Sequence, residues 1–142
     1  MKKVFVSGCY DILHAGHIQF FRYARALGDH LTVCFASAEV LMLAKKRAPS
    51  MPDDNKKVVM ESIRYIDEVV SSSDLDPTFD FVSMLDTIKP DVVAVTEDDK
   101  RKEEKRDFFS KRGIEFIVLP KRNTCTQVST SSIRQSIKGE VS

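Results

Sequence analysis

The chain has 142 residues, of which 42% are hydrophobic and 30% charged, and its formal net charge is +1. This is the size and make-up of one globular domain, here residues 1–142, with a proper core. The near-neutral balance excludes the strong field of a dedicated nucleic-acid or acidic-membrane binder.

No apolar run approaches the length of a membrane span, so no membrane insertion is expected. No signal-peptide core follows Met1-Lys2-Lys3. The three cysteines, Cys9, Cys34 and Cys125, lack C-x-x-C spacing. They argue for a reducing, cytoplasmic setting and against a disulfide framework.

Residues 3–7 read as a first strand from their apolar, β-branched content. A helix over 18–27 follows, with Gly28 placed as a left-handed cap. Residues 30–36 form strand two and 38–44 a short helix. Residues 45–52 carry two prolines and three cations, which makes an exposed loop. Asp53 or Asp54 caps the next helix, whose apolar face is Val59, Ile63 and Ile66. Strand three spans 68–71, and 72–78 is a polar turn region. Residues 79–88 read as a helix with Phe81, Met84, Leu85 and Ile88 inward, stopped by Pro90. Strand four is 91–95. Residues 98–112 form a charged surface helix, anchored by Phe108 and Phe109 and ended at Gly113. Strand five is 115–119, a polar loop runs over 121–128, and a last helix over 129–138 packs Ile133 and Ile137. Strand and helix alternate throughout. That predicts an α/β, Rossmann-like parallel sheet of five strands with helices on both faces. The strand order is not readable from the pattern.

The informative stretch is Gly8-Cys9-Tyr10-Asp11-Ile12-Leu13-His14-Ala15-Gly16-His17, where strand one hands over to helix one. In open α/β sheets ligands bind at that edge. A helix N-terminus there suits phosphate. The dinucleotide fingerprint G-x-G-x-x-G is absent, as is the P-loop G-x-x-x-x-G-K-[ST]. What remains is His14-x-Gly16-His17. The two histidines are three apart and share a helix face, and Gly16 allows a ligand near the backbone. From the residues alone three readings stay open: a phosphate site, a pair of polar turn residues, or a metal site with Cys9 or Asp11. For zinc, three or four defined ligands are wanted and nothing else fixes them.

This stretch resembles the signature of the H-x-G-H nucleotidyltransferases, the cytidylyltransferase-like superfamily. So do Ala24-x-x-Leu27-Gly28-Asp29-x-Leu31, Ile63-Arg64-Tyr65-Ile66-Asp67-Glu68-Val69 and Val128-Ser129-Thr130-Ser131-Ser132-Ile133. The pattern looks closest to glycerol-3-phosphate cytidylyltransferases and to the adenylyltransferase domain of heptose-phosphate enzymes. The resemblance implies transfer of a nucleoside monophosphate from a triphosphate to a small phosphorylated alcohol or sugar, releasing pyrophosphate. CTP is favoured narrowly over ATP. A non-catalytic nucleotide-binding module is the reading from another class.

A phosphate monoester has a second pKa of about 6. The nucleophile is therefore already ionised, and catalysis reduces to positioning and charge stabilisation. By the resemblance, His14, His17 and Lys46 are catalytic. Cys9, Tyr10, Gly16, Arg122, Ser129 and Thr130 bind the nucleotide, and Lys45 and Arg64 meet the acceptor phosphate. The bland alternatives are a solvated basic loop for Lys45 and Lys46, a surface salt bridge for Arg64, and N-capping for Ser129 and Thr130. Asp11 is expected to shape the turn. Magnesium would accompany the triphosphate without a protein metal site, and a homodimer through residues 64–70 is implied. Two segments depart from the family pattern: Thr96-Glu97-Asp98-Asp99 lacks a glycine, and residues 122–128 replace Arg-Thr-Glu-Gly with a longer, glycine-free run. Both lie where relatives recognise base and ribose.

Overall fold

Val4, Phe5 and Val6 are all fully buried, because β1 (Lys3–Gly8) is the central strand of a sheet covered on both faces. The computed structural model describes residues 1–46, 48–72, 79–121 and 129–141, with only the backbone at 44, 45 and 139–141. After β1 come α1 (Ala15–Arg25), β2 (His30–Ala36), α2 (Ala38–Lys45), α3 (Asp53–Glu61) and β3 (Glu68–Ser72). A 3₁₀ turn (Val82–Met84) then runs into α4 (Leu85–Ile88), followed by β4 (Val92–Thr96), α5 (Lys102–Ser110), β5 (Glu115–Leu119) and α6 (Thr130–Val141).

The sheet order is β3-β2-β1-β4-β5, and every pairing is parallel. The chain therefore winds outward from β1 to β3, then crosses to build β4 and β5 on the other side. The switch point lies between β1 and β4, where open α/β sheets leave a crevice at their carboxyl ends.

Strand alternation divides the core in two. Val4, Val6, Leu31, Val33, Phe35, Val92 and Ala94 face α1 and α3, meeting Phe21, Ala24 and Met60. Phe5, Cys34 and Val93 face the opposite way, onto an aromatic cluster of Phe79, Phe81 and Phe109 with Leu85 and Ile88. This is the five-stranded, doubly covered α/β sheet expected.

Several local expectations are corrected. Gly28 is not a left-handed cap. α1 closes on Ala26 in the right-handed region, and Gly113 is the only described glycine with positive φ, at 70°. Gly28 is instead a point of close approach, where an added Cβ would lie 2.6 Å from the Lys2 carbonyl oxygen. Gly28→Ala is therefore expected to destabilise the protein by about 1–3 kcal/mol, read as a lower urea midpoint at unchanged slope.

The apolar face predicted for α3 is also wrong. Lys56 and Met60 point inward, and Val59 is 42% exposed. The helix stops at Glu61, so Ile63 and Ile66 pack from the turn beyond it and do not continue its stripe. Neither aspartate caps α3. Pro52 holds that position without a side-chain bond, and the Asp53 carboxylate accepts the Ala38 N–H at the start of α2 (3.0 and 3.1 Å). Residues 79–88 split into a 3₁₀ turn and one helical turn closed by Lys89 at φ 48°. Ile137 on α6 is 54% exposed, not packed. The polar turn predicted over 72–78 lies, beyond Ser72, outside the described residues.

Candidate active site

The carboxyl end of β1 sets the site's geometry. Gly8 sits under the Tyr10 ring, where an added Cβ would lie 2.8 Å from a ring carbon. Tyr10 is buried at φ 46°, a left-handed turn for a bulky residue. Burial first, then the nearby cysteines and Asp99, push its phenol pKa up, so the hydroxyl stays protonated. Its ring meets His17 edge-on at 5.4 Å and Phe21 at 5.1 Å, which wedges the His17 imidazole against the core.

His14 is the N-cap of α1, and the two histidines cap the helix reciprocally. The Gly16 N–H donates to His14 Nδ1 (3.1 Å), and the His14 N–H donates to His17 Nδ1 (3.3 Å). An Nδ1 that accepts an amide proton carries none itself. Each neutral imidazole therefore bears its proton on Nε2, on the far side of the ring from the cap. The ring centroids are 4.0 Å apart. Gly16 is required here for room as well, since a Cβ would lie 2.9 Å from His14 Cε1.

The electrostatics keep both rings uncharged. Burial, then the charge of Lys121, lowers the His14 pKa. Burial, then His14, brings His17 down to about 4. The folded His17 pKa thus lies below the unfolded value of about 6.5. Between those values the unfolded chain binds more protons, so stability falls as pH drops from about 6.5 towards 4 and is indifferent above that window. Urea midpoints are expected to hold from pH 8 to 7 and to fall progressively below pH 6.5. A flat profile down to pH 4.5 would contradict this.

Two further segments close on the loop. Asp11 is buried. Burial would raise its carboxyl pKa, but the Ser50 N–H, the Arg134 guanidinium and the Ser50 hydroxyl outweigh it and hold the group below the usual range. The Ser50 amide and hydroxyl donate to it at 2.7 and 3.1 Å, and Arg134 of α6 pairs with it. Asp11 thus shapes the turn, and it ties the segment after α2 and the helix α6 to the histidine loop. Thr130 Oγ1 at the start of α6 donates to the Ile12 carbonyl (3.2 Å). From the β4 and β5 ends, Lys121 pairs with Asp98, and its amide donates to Glu97 Oε1 (3.2 Å).

Neutral imidazole donors, a helix N-terminus and nearby ammonium groups together suit a polyphosphate. A family model described as Cytidylyltransferase-like matches residues 5–136. The chain belongs to the cytidylyltransferase-like family. It is 37% identical to an FAD synthase from Thermococcus kodakarensis, over 95% of this chain and 91% of that protein. It is 34% identical to a glycerol-3-phosphate cytidylyltransferase from Bacillus subtilis, over 98% of this chain and 99% of that protein. Among solved structures, a lipopolysaccharide core biosynthesis protein from Thermoplasma volcanium has the same fold, with a TM-score of 0.74 and 23% identity, covering 87% of this chain and 99% of that one. As a cytidylyltransferase-like protein with such relatives, the chain is a nucleotidyltransferase.

Against the family's pattern, the predicted residues divide clearly. His14, Gly16 and His17 form one cluster, and Thr130 is hydrogen-bonded to their loop. Ser129 is held in helix capping, its hydroxyl accepting the Ser132 N–H (3.0 Å) while its own N–H donates to Ser132 Oγ (2.8 Å). Cys9 and Tyr10 line the turn, Tyr10 with its side chain turned into the core. Lys46 is exposed, in a left-handed conformation that ends α2. It lies four residues before Ser50, which is tied to Asp11. Lys45 ends α2 itself, its side chain outside the described set. Arg122 lies outside the described residues.

Arg64 is not brought to the site within the chain. It precedes β3, beside the amino ends of the strands, where Asp67 Oδ2 accepts the Leu31 N–H and its amide donates to the Leu31 carbonyl. A strand length, about 17 Å, separates that edge from the histidines. Arg64 is exposed and lies over Tyr65 (5.8 Å). Sequence reasoning missed Lys121, Arg134, Ser50 and the buried Lys56. Only Lys121 carried a signal: it lies two residues past the end of β5, at the ligand-binding edge.

Proposed function

We propose that the chain transfers a nucleoside monophosphate from a triphosphate to the phosphate oxygen of a small phosphorylated acceptor, with release of pyrophosphate. The observation that carries this is the pair of neutral imidazoles, capped through Nδ1 and 4.0 Å apart, with both Nε2–H groups left as donors. An acceptor phosphate oxygen attacks the α-phosphorus, the bond to the bridging oxygen breaks, and pyrophosphate departs with that electron pair. The acceptor is already ionised, so neither histidine needs to take a proton. Their Nε2–H groups stabilise the charge gathering on the phosphoryl oxygens. The helix start at Thr130, Lys121 and the Lys45–Lys46 pair supply positive potential for the departing phosphates.

Magnesium would ride on the triphosphate. Among the described residues no three His, Cys, Asp or Glu side chains gather to hold a metal, and both histidine Nδ1 atoms already accept amide protons. Its contribution when bound is to neutralise phosphate charge. Among the described residues no helix is long and apolar enough to cross a membrane. A homodimer through residues 64–70, which include part of the edge strand β3, belongs to the same proposal. A monomer mass by light scattering overturns that part.

For the donor, ATP is the better reading than CTP. The FAD synthase relative shares the higher identity, and residues 122–128 depart from the cytidylyltransferase pattern where the base is read. FMN is then the first acceptor to test. Glycerol 3-phosphate with CTP is the second reading, favoured by a relative matched from end to end. Pyrophosphate release with each of the four triphosphates against FMN, glycerol 3-phosphate and a heptose phosphate decides. No turnover with any pair and no triphosphate binding at millimolar concentration would refute the function.

A further inference from the structure

Lys56 is the one lysine or arginine among the described residues to be fully buried, at 1% exposure. It lies on the inward face of α3, one turn before Met60. Its Nζ donates to the Cys9 carbonyl (3.1 Å) and lies 5.3 Å from the centroid of the Phe35 ring. A buried ammonium carries a large desolvation cost, and an apolar side chain of the same length would fill the space without it. Packing therefore does not account for a lysine at this position.

Its partner does. The Cys9 carbonyl belongs to the peptide that enters Tyr10, the left-handed residue of the histidine loop. In a trans peptide the carbonyl and the following N–H point in opposite directions, and the chain has no cis peptide bonds among the described residues. Holding the Cys9 carbonyl inward on Lys56 therefore turns the Tyr10 N–H outward, away from the core. The Nζ donor on the carbonyl also polarises the peptide, so that N–H becomes a stronger donor. Tyr10 in turn sets the edge of its ring against His17.

We propose that Lys56 is a positioning residue for transfer, fixing and polarising the Cys9–Tyr10 peptide so that the Tyr10 amide is presented to the transferring phosphoryl group. The inference rests on the nucleotidyl-transfer reading above. It adds a residue on a separate helix that touches no substrate.

The test is steady-state pyrophosphate release by the full chain as wild type, Lys56→Met, Lys56→Gln and Lys56→Arg, with thermal unfolding of each by circular dichroism. Lys56→Met is expected to unfold at or above the wild-type midpoint, to lose 10- to 100-fold in kcat, and to change the triphosphate KM less than threefold. Lys56→Arg, which can still donate to the Cys9 carbonyl, is expected to recover much of the loss. Kcat within threefold of wild type in Lys56→Met, or a loss matching only its unfolded fraction, overturns the proposal. If Lys56→Met does not fold, Lys56→Gln against Lys56→Arg makes the same comparison: equal kcat overturns it and a deficit in glutamine alone supports it. A wild type that releases no pyrophosphate would instead refute the function itself, so the two failures are distinct.

Discussion

His17→Asn is expected to lower turnover by about 10²–10³-fold while the protein stays folded. The choice of asparagine follows from the hydrogen bonding. His17 Nδ1 accepts the His14 N–H and completes the helix cap. An asparagine side-chain oxygen reaches the same place and keeps that bond. What it lacks is the ring's far side, where Nε2–H faces outward. His17→Gln makes the opposite exchange, offering an N–H near the Nε2 position at the expense of the cap. Glutamine is therefore expected to retain more turnover than asparagine but to unfold earlier. The pair separates chemistry from capping, which a single alanine substitution would confound. Nucleotide affinity by calorimetry is expected to weaken less than tenfold in either, because the imidazole acts on charge that gathers during transfer. Equal losses of affinity and turnover would mean the histidine serves ground-state binding alone. The pH profile offers an independent check. With the His17 pKa brought down to about 4 by burial and His14, an acid limb near pH 6 should move with the acceptor's second pKa when the acceptor is changed. A limb fixed near 6.5 for every acceptor would place a titrating histidine in the mechanism.

The layered α/β fold was legible because alternation of apolar runs survives any local error. All five strands fall where β-branched content put them, within a residue at either end. The helices were less legible, and α3 shows why. Its sequence presents Val58, Val59 and Met60 in a row, and periodicity alone chooses Val59 with Ile63. The structure takes the 56/60 stripe instead, because Lys56 finds a carbonyl partner inside. A pattern that scores lysine as polar cannot find that. Gly28 misled in a related way: it follows a helix, where a left-handed cap is common, but its need comes from the carbonyl of Lys2, far earlier in the chain. At the site, the histidine loop was legible because its residues are consecutive. Lys121 and Arg134 were not, because they meet the loop only through the β1–β4 switch point and the return of α6. Arg64 lies at the opposite edge within the chain, and a match in sequence does not say which edge of the sheet a turn occupies.

Asp11→Asn is expected to reduce both stability and substrate binding, and the two effects have one origin. The Asp11 side chain is 1% exposed and its Arg134 partner 33% exposed. Removing the charge leaves the guanidinium facing a neutral amide in a mostly dry setting. A fully buried pair broken on one side costs about 3–5 kcal/mol. The partial exposure of Arg134 lets water compensate, so about 2–3 kcal/mol is expected here. Urea denaturation measures it directly. The acid dependence must change too. Asp11 has a lowered folded pKa, so its contribution is complete above the unfolded value of about 3.9 and is lost as pH falls below it. Asp11→Asn should therefore flatten the stability profile below pH 4 while leaving the His17 effect above it intact. The functional effect follows from what the pair holds in place. Arg134 is one turn from Thr130, which bonds the Ile12 carbonyl, so loosening Arg134 withdraws the start of α6 from the histidines. The triphosphate KM is expected to rise about tenfold, a change of about 1.4 kcal/mol, with kcat less affected. The double variant Asp11→Asn with Arg134→Met is the decisive partner experiment. Removing the stranded charge should restore part of the stability, since no uncompensated guanidinium is then left beside the buried amide, yet the KM should stay high because the ion pair that ties the loop to α6 is still gone. Recovery of both together would mean that α6 reaches the site without Asp11.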